Sequence, residues 1–279
     1  MYEPNLINLT TRQICAIESA AIHNPKSNIF LVYSNRRYRN KYVREPLLDT
    51  LLFYKNVYIR NVNLWSFVND TPMEKWFKTG KLFESHFITI HLSDFLRLLL
   101  LWRYGGTYLD LDTITLKSLE SMPHNYAGIQ SKDIINQAVL KISSNGDGHK
   151  LAEQFLLDYQ QKFSAIYWAH NGPSLITRVL KRTCCTDDIL KMINNPKCCK
   201  DFNVYPRNAF YEINFEELDF FFDEALLDQM LNRTQNSIVL HLWNKFSQHR
   251  KMKVGSNVAY DLAAQIHCPR TYAKAGEYF

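Results

Sequence analysis

The chain has 279 residues, 46% of them hydrophobic and 14% aromatic, which supplies enough apolar surface for a globular core. Nine glycines and nine prolines exclude a fibrous or low-complexity protein, and no repeat or linker marks a domain boundary. The net charge of +6 does not indicate a nucleic-acid-binding protein, because the densest basic cluster has no binding motif beside it and predicts a solvated face; it comprises Arg36, Arg37, Arg39, Lys41 and Arg44.

The sequence pattern predicts helices that alternate with strands. In chain order these are a helix between Thr10 and Asn24, a strand over 29–33, a helix near 46–54, a strand over 57–62, short helical pieces over 64–83, a helix over 93–104, a strand over 107–115, a helix over 149–163, a helix that opens at Asn171-Gly172-Pro173 and a strand over 237–243. Thr10 is expected to cap the first helix and Ser93 the helix over 93–104. Gly105 is expected to end the helix over 93–104. The aromatic anchors expected within 64–83 are Trp65, Phe67, Trp76 and Phe77.

Alternation of this kind indicates a βαβ sheet and an α/β fold. Such folds normally begin with a strand, whereas here a helix follows Met1 almost at once. The first strand of the fold is therefore expected to be missing or only partly present.

The six cysteines favour an oxidising compartment. Four of them form the adjacent pairs Cys184-Cys185 and Cys198-Cys199, which predict at least one disulfide between the pairs. A zinc site is the alternative, but zinc ligands usually come as CxxC pairs, whereas adjacent cysteines point in divergent directions. Sequons agree with a secretory route; they begin at Asn8, Asn69 and Asn232.

A charged pair is expected on one face of the helix over 93–104. Asp94 and Arg97 lie three residues apart, so their side chains share a helix face. The helix is otherwise apolar, and an unpaired charge on that face would be costly. The two residues therefore form either a structural ion pair or part of a ligand site.

Two carboxylates follow the Gly105-Gly106 turn, at Asp110 and Asp112. They lie two positions apart at the end of the strand predicted over 107–115, so both carboxylates are expected to project from the same side of the sheet. Carboxylates placed in this way suit a hard divalent cation that keeps positions for substrate phosphates, and α/β folds bind ligands at the carboxyl ends of strands. Phosphatases with an aspartate nucleophile share the Asp-x-Asp pattern, but they place it on the first strand, and here it lies deep in the chain.

Together with other blocks, these residues resemble a known family. The blocks are CAIESAA over 15–21 with Asn24-Pro25, SDFLR over 93–97, YGGTYLDLD over 104–112, NGP over 171–173 with Arg178, AFY over 209–211 and HLWN over 241–244. In this order they resemble the α-1,4-galactosyltransferase and α-1,4-N-acetylglucosaminyltransferase family nearly end to end. The resemblance implies a Rossmann-like GT-A fold as a single catalytic domain, with a nucleotide-sugar-binding core over about 1–125 and an acceptor-side, C-terminal elaboration over about 126–279.

The resemblance also implies roles for individual residues. Asp110 and Asp112 correspond to the motif that binds the metal and the diphosphate, and His241 to a later ligand of either. Asp94 and Arg97 correspond to the pair that holds the donor ribose and sugar. Catalysis is expected to depend on Asp94, Arg97 and Asp112. Further donor contacts are expected from Gly106, Tyr108, Asn171, Gly172 and Asn244. An N-cap at Asn171 followed by Gly-Pro is the structural alternative for that block.

The activity that the resemblance implies is transfer of a hexose, galactose or N-acetylhexosamine, from a UDP-sugar in α-1,4 linkage to a glycolipid or glycan acceptor. The cofactor is expected to be Mn²⁺ or Mg²⁺, and the anomeric configuration is expected to be retained. No residue is a convincing nucleophile, so attack from the front face is favoured, with Asp94 as a contact to a sugar hydroxyl.

The same resemblance implies a type II membrane protein of the Golgi lumen and no nucleic-acid partner. Membrane association is expected only through an N-terminal anchor absent from this sequence, since the longest apolar run, over 98–102, is far below the roughly 20 residues of a membrane span. Two alternatives stay open. One is a truncated, inactive relative that binds a sugar nucleotide, and the other is a mannosyltransferase that uses GDP-mannose. The NGP and HLWN blocks favour the galactosyltransferase group over the second.

Overall fold

The structure is a computed structural model that describes residues 9–34, 47–193 and 195–279, so the basic cluster over 36–44 and the sequon at Asn8 lie outside the described residues. Its helices are α1 (Thr11–His23), α2 (Leu48–Leu52), α3 (Leu64–Phe67), α4 (Glu74–Lys78), α5 (Ile88–Tyr104), α6 (Gly146–Lys162), α7 (Pro173–Thr183), α8 (Asp219–Phe222), α9 (Leu227–Thr234), α10 (Asn244–Ser247), α11 (Ala259–His267) and α12 (Pro269–Lys274). Its strands are β1 (Ile29–Tyr33), β2 (Val57–Asn61), β3 (Gly106–Leu109), β4 (Thr113–Thr115), β5 (Tyr126–Ser131), β6 (Ile134–Ile142), β7 (Asn203–Tyr205) and β8 (Val239–His241).

The predicted α/β class is confirmed, and the combination of helices with small open sheets is consistent with a GT-A-like fold. The chain divides into two compact units. The first unit takes its described residues from Met1–Leu64, Asp110–Met122 and Asn208–Phe279, and the second consists of Trp65–Leu109 and Pro123–Arg207. Among the described helices, none is long and apolar enough to cross a membrane.

The first unit begins as the sequence predicts. The Thr10 hydroxyl accepts a hydrogen bond from the Gln13 N–H, and the Gln13 side chain accepts one from the Thr10 N–H, which closes a capping box at the start of α1. β1 and β2 pair in parallel, with α2 between them in the chain, so the βαβ prediction is confirmed for this cycle. Behind these strands lies a buried cluster that includes Ile14, Ile17, Leu31 and Leu51.

Two long-range contacts tie α1 to the C-terminal helices of the same unit. A disulfide joins Cys15 to Cys268, a pairing that the sequence pattern did not predict. One turn along α1, the fully buried Glu18 accepts hydrogen bonds from the backbone N–H groups of Arg270 and Thr271 and from the Tyr54 hydroxyl. A buried carboxylate is stable there because the first turn of α12 supplies donors that would otherwise be unsatisfied. The CAIESAA block therefore has a structural role.

The second unit is built on a four-stranded sheet in the order β3-β6-β5-β7. The β3–β6 and β5–β6 pairs are antiparallel and only the β5–β7 pair is parallel, so the prediction of a βαβ sheet is wrong for this unit. The sequence pattern missed β5 and β6 altogether. Most of their residues are buried on both faces, so they lack the alternation of apolar and polar residues by which a half-buried strand is recognised.

Helix α5 crosses this unit and differs from its prediction at one end. It begins at Ile88 after Phe87, so the prediction that Ser93 caps the helix is wrong, and Ser93 lies within it. Its end at Gly105 is confirmed. Gly105 has φ of +67°, and a Cβ there would lie 2.5 Å from the backbone nitrogen of Ser144, so only glycine fits this turn.

Aromatic side chains pack around α5. Trp76 and Phe77 are buried as predicted, and both rings lie within 6.0 Å of the Phe95 ring. Trp65, also predicted as an anchor, is 55% exposed, and its ring contacts the buried Phe77 ring at 4.9 Å. Phe67 is half-buried, under the guanidinium of Arg103.

A second disulfide closes a short loop in this unit. Cys184 is bonded to Cys199, which confirms the predicted link between the two cysteine pairs. Cys185 and Cys198 carry free thiols, so a single bond joins the pairs.

Candidate functional site

The two carboxylates of the Asp-x-Asp motif lie in a turn. The strand predicted over 107–115 is interrupted, because β3 ends at Leu109 and β4 begins at Thr113 in a different sheet. The expectation that one continuous strand projects both carboxylates is therefore wrong. The Thr113 hydroxyl donates a 2.8 Å hydrogen bond to the carbonyl oxygen of Asp110 and so stabilises the turn.

Pairing of β4 with β8 brings a histidine to this turn. β8 is shorter than the strand predicted over 237–243, and His241 lies opposite Thr113 in the antiparallel register. Side-chain ligand atoms of Asp110, Asp112 and His241 all lie within 4.8 Å of one another. Two carboxylates and one imidazole form a ligand set suited to a divalent cation, and the first unit alone contains all three.

Asp112 is held as a carboxylate. Nε2 of His241 lies 3.1 Å from Oδ1, and the backbone N–H of Asn244 donates a 2.7 Å hydrogen bond to Oδ2. Burial acts to raise the pKa of Asp112, but the attraction of His241 and these hydrogen bonds outweigh it and keep the pKa below its ordinary value. The group is thus ionised at neutral pH, as a metal ligand must be.

The HLWN block fixes the histidine. His241 is 6% exposed, and its ring centre lies 4.1 Å from that of Trp243 and 5.7 Å from that of Tyr211. The Trp243 indole N–H donates a 2.8 Å hydrogen bond to the carbonyl oxygen of Ile213, which anchors the tryptophan. Asn244 contacts the site through its main chain, because its backbone N–H donates a hydrogen bond to the Asp112 carboxylate.

Arg12 is a residue of this neighbourhood that the sequence did not indicate. Arg12 as a whole is 8% exposed. Its guanidinium donates hydrogen bonds to the carbonyl oxygen of Ser247, 3.0 Å away, and to that of Arg250. Burial lowers the pKa of Arg12, while Tyr260 and Asp112 act to raise it. Arg12 therefore adds fixed positive charge to the surroundings of Asp112. Its only sequence signal is a charge inside the apolar face of α1.

In the second unit, Asp94 and Arg97 lie on one face of α5 as predicted. They are 2% and 5% exposed, and Nη2 of Arg97 lies 3.5 Å from Oδ1 of Asp94. The guanidinium also stacks over the ring of Tyr108, 4.3 Å from its centre. Three of the predicted donor-site residues therefore come together here.

Gln137 completes this group, and the sequence analysis missed it. Its Nε2 donates a 2.6 Å hydrogen bond to Oδ1 of Asp94, and its backbone carbonyl accepts one of 3.2 Å from Nη1 of Arg97. Gln137 lies on β6 and is 3% exposed. A polar side chain inside a buried strand is a usable signal, but only once β6 has been recognised.

Gly172 packs directly against this group. A Cβ on Gly172 would lie 2.2 Å from Nε2 of Gln137 and 3.0 Å from Oδ2 of Asp94, so the NGP block needs glycine for space. Gly172 is also the N-cap residue of α7, which makes the alternative of an N-cap at Asn171 wrong. The buried Asn171 amide exchanges hydrogen bonds of 2.6 and 2.9 Å with the backbone of Ser164.

The predicted site residues thus fall into two groups. Asp110, Asp112, His241 and Asn244 meet in the first unit, and Asp94, Arg97, Tyr108 and Gly172 meet in the second. Gly106, at the start of β3 with φ of +97°, is exposed and belongs to the turn that follows α5.

Comparison with known proteins finds two family matches along the chain. Residues 10–129 match the family described as "Glycosyltransferase sugar-binding region containing DXD motif", and residues 144–275 match the "Alpha 1,4-glycosyltransferase conserved region". A lactosylceramide 4-alpha-galactosyltransferase of Mus musculus is 30% identical over 264 residues, which cover 93% of this chain and 70% of the relative.

Two further proteins are similar. A human alpha-1,4-N-acetylglucosaminyltransferase is 25% identical over 289 residues, covering 98% of this chain and 76% of the relative. Among solved structures, a PaToxG glycosyltransferase superposes with a TM-score of 0.48 and 16% identity, covering 99% of this chain and 85% of that one.

Proposed function

Given that the chain belongs to the α-1,4-glycosyltransferase family and is a glycosyltransferase, we propose that it moves a hexose from a UDP-sugar, in α-1,4 linkage and with retention, to a glycolipid or glycan acceptor. The relatives named above act on galactose or N-acetylglucosamine, and both sugars fit the proposal. The observation that carries it is the convergence of Asp110, Asp112 and His241 from the Asp-x-Asp and HLWN blocks.

These three residues are the proposed ligands of Mn²⁺ or Mg²⁺. The fit rests on the donor set, since the carboxylate of Asp112 is already ionised and the imidazole of His241 is held in place by its aromatic neighbours. When bound, the cation neutralises charge on the departing nucleoside diphosphate. Nearby, Arg12 contributes a second, fixed positive charge to the same neighbourhood.

Asp94 and Arg97 are the proposed contacts to the donor sugar and ribose. An Asp94 carboxylate that already accepts from Gln137 keeps lone pairs for a sugar hydroxyl. Arg97 is stacked on Tyr108 and bonded to the backbone of Gln137, so it offers N–H donors in a fixed orientation. Asp94 acts as a positioning contact, which leaves the acceptor hydroxyl to attack from the front face.

A donor screen tests the function directly. The protein, with Mn²⁺ present, is incubated with UDP-galactose, UDP-N-acetylgalactosamine, UDP-N-acetylglucosamine or GDP-mannose and a lactosyl acceptor, and products are analysed by mass spectrometry and linkage analysis. An α-1,4-linked product from at least one UDP-sugar is expected. Turnover of GDP-mannose alone would replace the proposal with a mannosyltransferase, and UDP binding without transfer or hydrolysis of any donor would indicate an inactive relative.

We propose the Golgi lumen as the location. Two disulfides, Cys15–Cys268 and Cys184–Cys199, are suited to an oxidising compartment of the secretory route. Localisation of a fluorescently tagged full-length protein against Golgi markers tests this directly.

A further inference from the structure

A turn with an uncommon backbone conformation links His241 to α10 in the first unit. Trp243, between β8 and α10, has φ of +53° and ψ of +53°, in the left-handed region that a bulky residue rarely adopts. On either side of it, the Leu242 N–H donates a 2.8 Å hydrogen bond to the carbonyl oxygen of Asp112, and the Asn244 N–H donates one of 2.7 Å to the Asp112 carboxylate. A strained conformation of this kind persists only where surrounding contacts fix it.

We propose that Arg12 and Ser247 are positioning residues that hold this turn in place and so keep the Asn244 N–H directed at Asp112. Neither side chain belongs to the candidate ligand set, and each acts through the backbone over 242–250. The consequence for metal binding rests on the proposed function, whereas the contacts that carry the inference lie within the first unit.

Ser247 connects the end of α10 to the turn that precedes it. Its hydroxyl donates a 2.6 Å hydrogen bond to the carbonyl oxygen of Leu242, and its backbone N–H donates one of 3.0 Å to that of Trp243. The residue is fully buried, so bulk water does not compete for these bonds. Ser247 thereby closes the short helix back onto the left-handed residue.

Arg12 fixes Ser247 from helix α1. Its Nη1 donates hydrogen bonds to the carbonyl oxygen and the hydroxyl of Ser247, at 3.0 and 3.2 Å, and its Nη2 donates one to the carbonyl oxygen of Arg250. The guanidinium also packs on two aromatic rings, with Cζ 5.6 Å from the ring centre of Phe222 and 5.3 Å from that of Tyr260. The planar group therefore presents its donors in a fixed orientation, which a lysine ammonium would not reproduce.

Helix α1 is a firm anchor for this contact, because the Cys15–Cys268 disulfide ties it to the end of the same unit. Within the described residues, the hydrogen-bond acceptors of Arg12 all belong to Ser247 and Arg250. An arginine that served the site by its charge alone would be replaceable by lysine and would give the Ser247 hydroxyl no role. The contacts therefore favour a geometric role over a purely electrostatic one.

Two substitutions separate geometry from charge. Arg12→Lys keeps the positive charge and removes the planar fork, and Ser247→Ala removes only the hydroxyl. In each variant the Mn²⁺ affinity of the chain, measured by electron paramagnetic resonance without donor or acceptor, should fall by about tenfold, as for other residues that orient metal ligands. The double variant should lose less than the product of the two single losses, because both act on one turn. Unaltered Mn²⁺ affinity in both single variants would overturn the proposal.

The matched controls are Ser237→Ala and Arg233→Lys, in the same unit. Ser237 is as buried as Ser247, and its hydroxyl donates a 2.7 Å hydrogen bond to the carbonyl oxygen of Asn208. Arg233 also donates to a backbone carbonyl, that of Glu212, at 3.0 Å. Both controls should lower the melting temperature but keep the Mn²⁺ affinity within about twofold. Equal losses of Mn²⁺ affinity in test and control variants would indicate general destabilisation and contradict a positioning role.

Hydrogen–deuterium exchange examines the turn itself without a metal. Peptides over 241–250 should exchange faster in Arg12→Lys and in Ser247→Ala than in the unaltered protein, while peptides over β1 should not change. Unaltered exchange over 241–250 would overturn the proposal even if the Mn²⁺ affinity fell. Failure of the unaltered protein to bind Mn²⁺ would instead refute the metal assignment in the proposed function, and the exchange rates would then decide the positioning role alone.

Discussion

The side-chain amide of Gln137 donates a 2.6 Å hydrogen bond to Asp94, while its backbone carbonyl accepts one from Arg97. One residue of β6 thereby holds both members of the charged pair on α5. Nη2 of Arg97 lies 3.5 Å from Oδ1 of Asp94, which is longer than a good hydrogen bond. Gln137 therefore contributes to the orientation of both members of the pair.

Replacement of Gln137 tests this relationship. Gln137→Met keeps the length of the side chain and removes the donor to Asp94, so we expect kcat/KM for the donor to fall by roughly 10- to 100-fold, the loss for a hydrogen bond to a charged group. Gln161→Met, at an exposed position, is the control and should have no effect. The measurement is steady-state kinetics with thermal unfolding alongside. Unchanged kcat/KM in a folded Gln137→Met protein would show that Asp94 is oriented without it.

The second prediction concerns space beside Asp94. Gly172→Ala places a Cβ 2.2 Å from Nε2 of Gln137, so the amide must move and its bond to Asp94 is lost. Donor turnover should fall about as far as in Gln137→Met, and the double variant should be no worse than either single one. Gly276→Ala is the matched control, because a Cβ there would meet no atom of the described residues within 4 Å. Additive losses in the double variant would contradict the shared mechanism.

Metal binding provides a third prediction. Asp112→Asn retains an acceptor for the Asn244 N–H but removes a ligand charge, so Mn²⁺-dependent UDP affinity should fall by about 100-fold or more while the melting temperature changes little. Chelation with EDTA should have the same effect on the unaltered protein. Asp228→Asn, at an exposed position of the same unit, should bind UDP normally. Calorimetric titration measures both affinities, and equal UDP affinity for the two variants would refute the assignment.

A histidine pair gives the protein a pH-dependent stability. Nε2 of His23 lies 2.8 Å from Nδ1 of His267, and burial together with the charge of His23 lowers the pKa of His267 to about 4 from 6.5. Burial also lowers the pKa of His23. A histidine with a depressed pKa binds fewer protons when folded, so its stabilisation is complete above pH 6.5 and is lost as the pH falls towards about 4.

The check is to measure the melting temperature in a series of buffers between pH 7.5 and pH 4, spaced about one pH unit apart. The melting temperature should decrease over the acid part of the range, and His267→Gln should make the decrease shallower, because only one titrating group remains in the pair. His249→Gln, which removes an exposed histidine of the same unit, should leave the slope unchanged. Identical slopes for all three proteins would assign the pH dependence to other groups.

Much of the local structure was predictable from sequence. The capping box of Thr10, the stop of α5 at Gly105 and the shared face of Asp94 and Arg97 depend on residues three or four positions apart. A short loop also made a disulfide between the two cysteine pairs predictable, and the bonded Cys184 and Cys199 are separated by 15 residues. Such features depend on helix geometry and on residues that are close together in the chain, so they can be predicted from a single sequence.

Only the tertiary structure decided how distant segments meet. His241 contacts Asp112 through strand pairing, although the two residues are 129 positions apart in the chain. Gln137 contacts Asp94 from a strand that is buried on both faces, and Cys15 is bonded to Cys268, 253 positions away. None of these pairings leaves a periodic signal, because strand register and long-range contacts are set by the packing of whole faces against one another. The sequence alone therefore determined which residue types the site uses, and the packing of sheets and helices determined their partners.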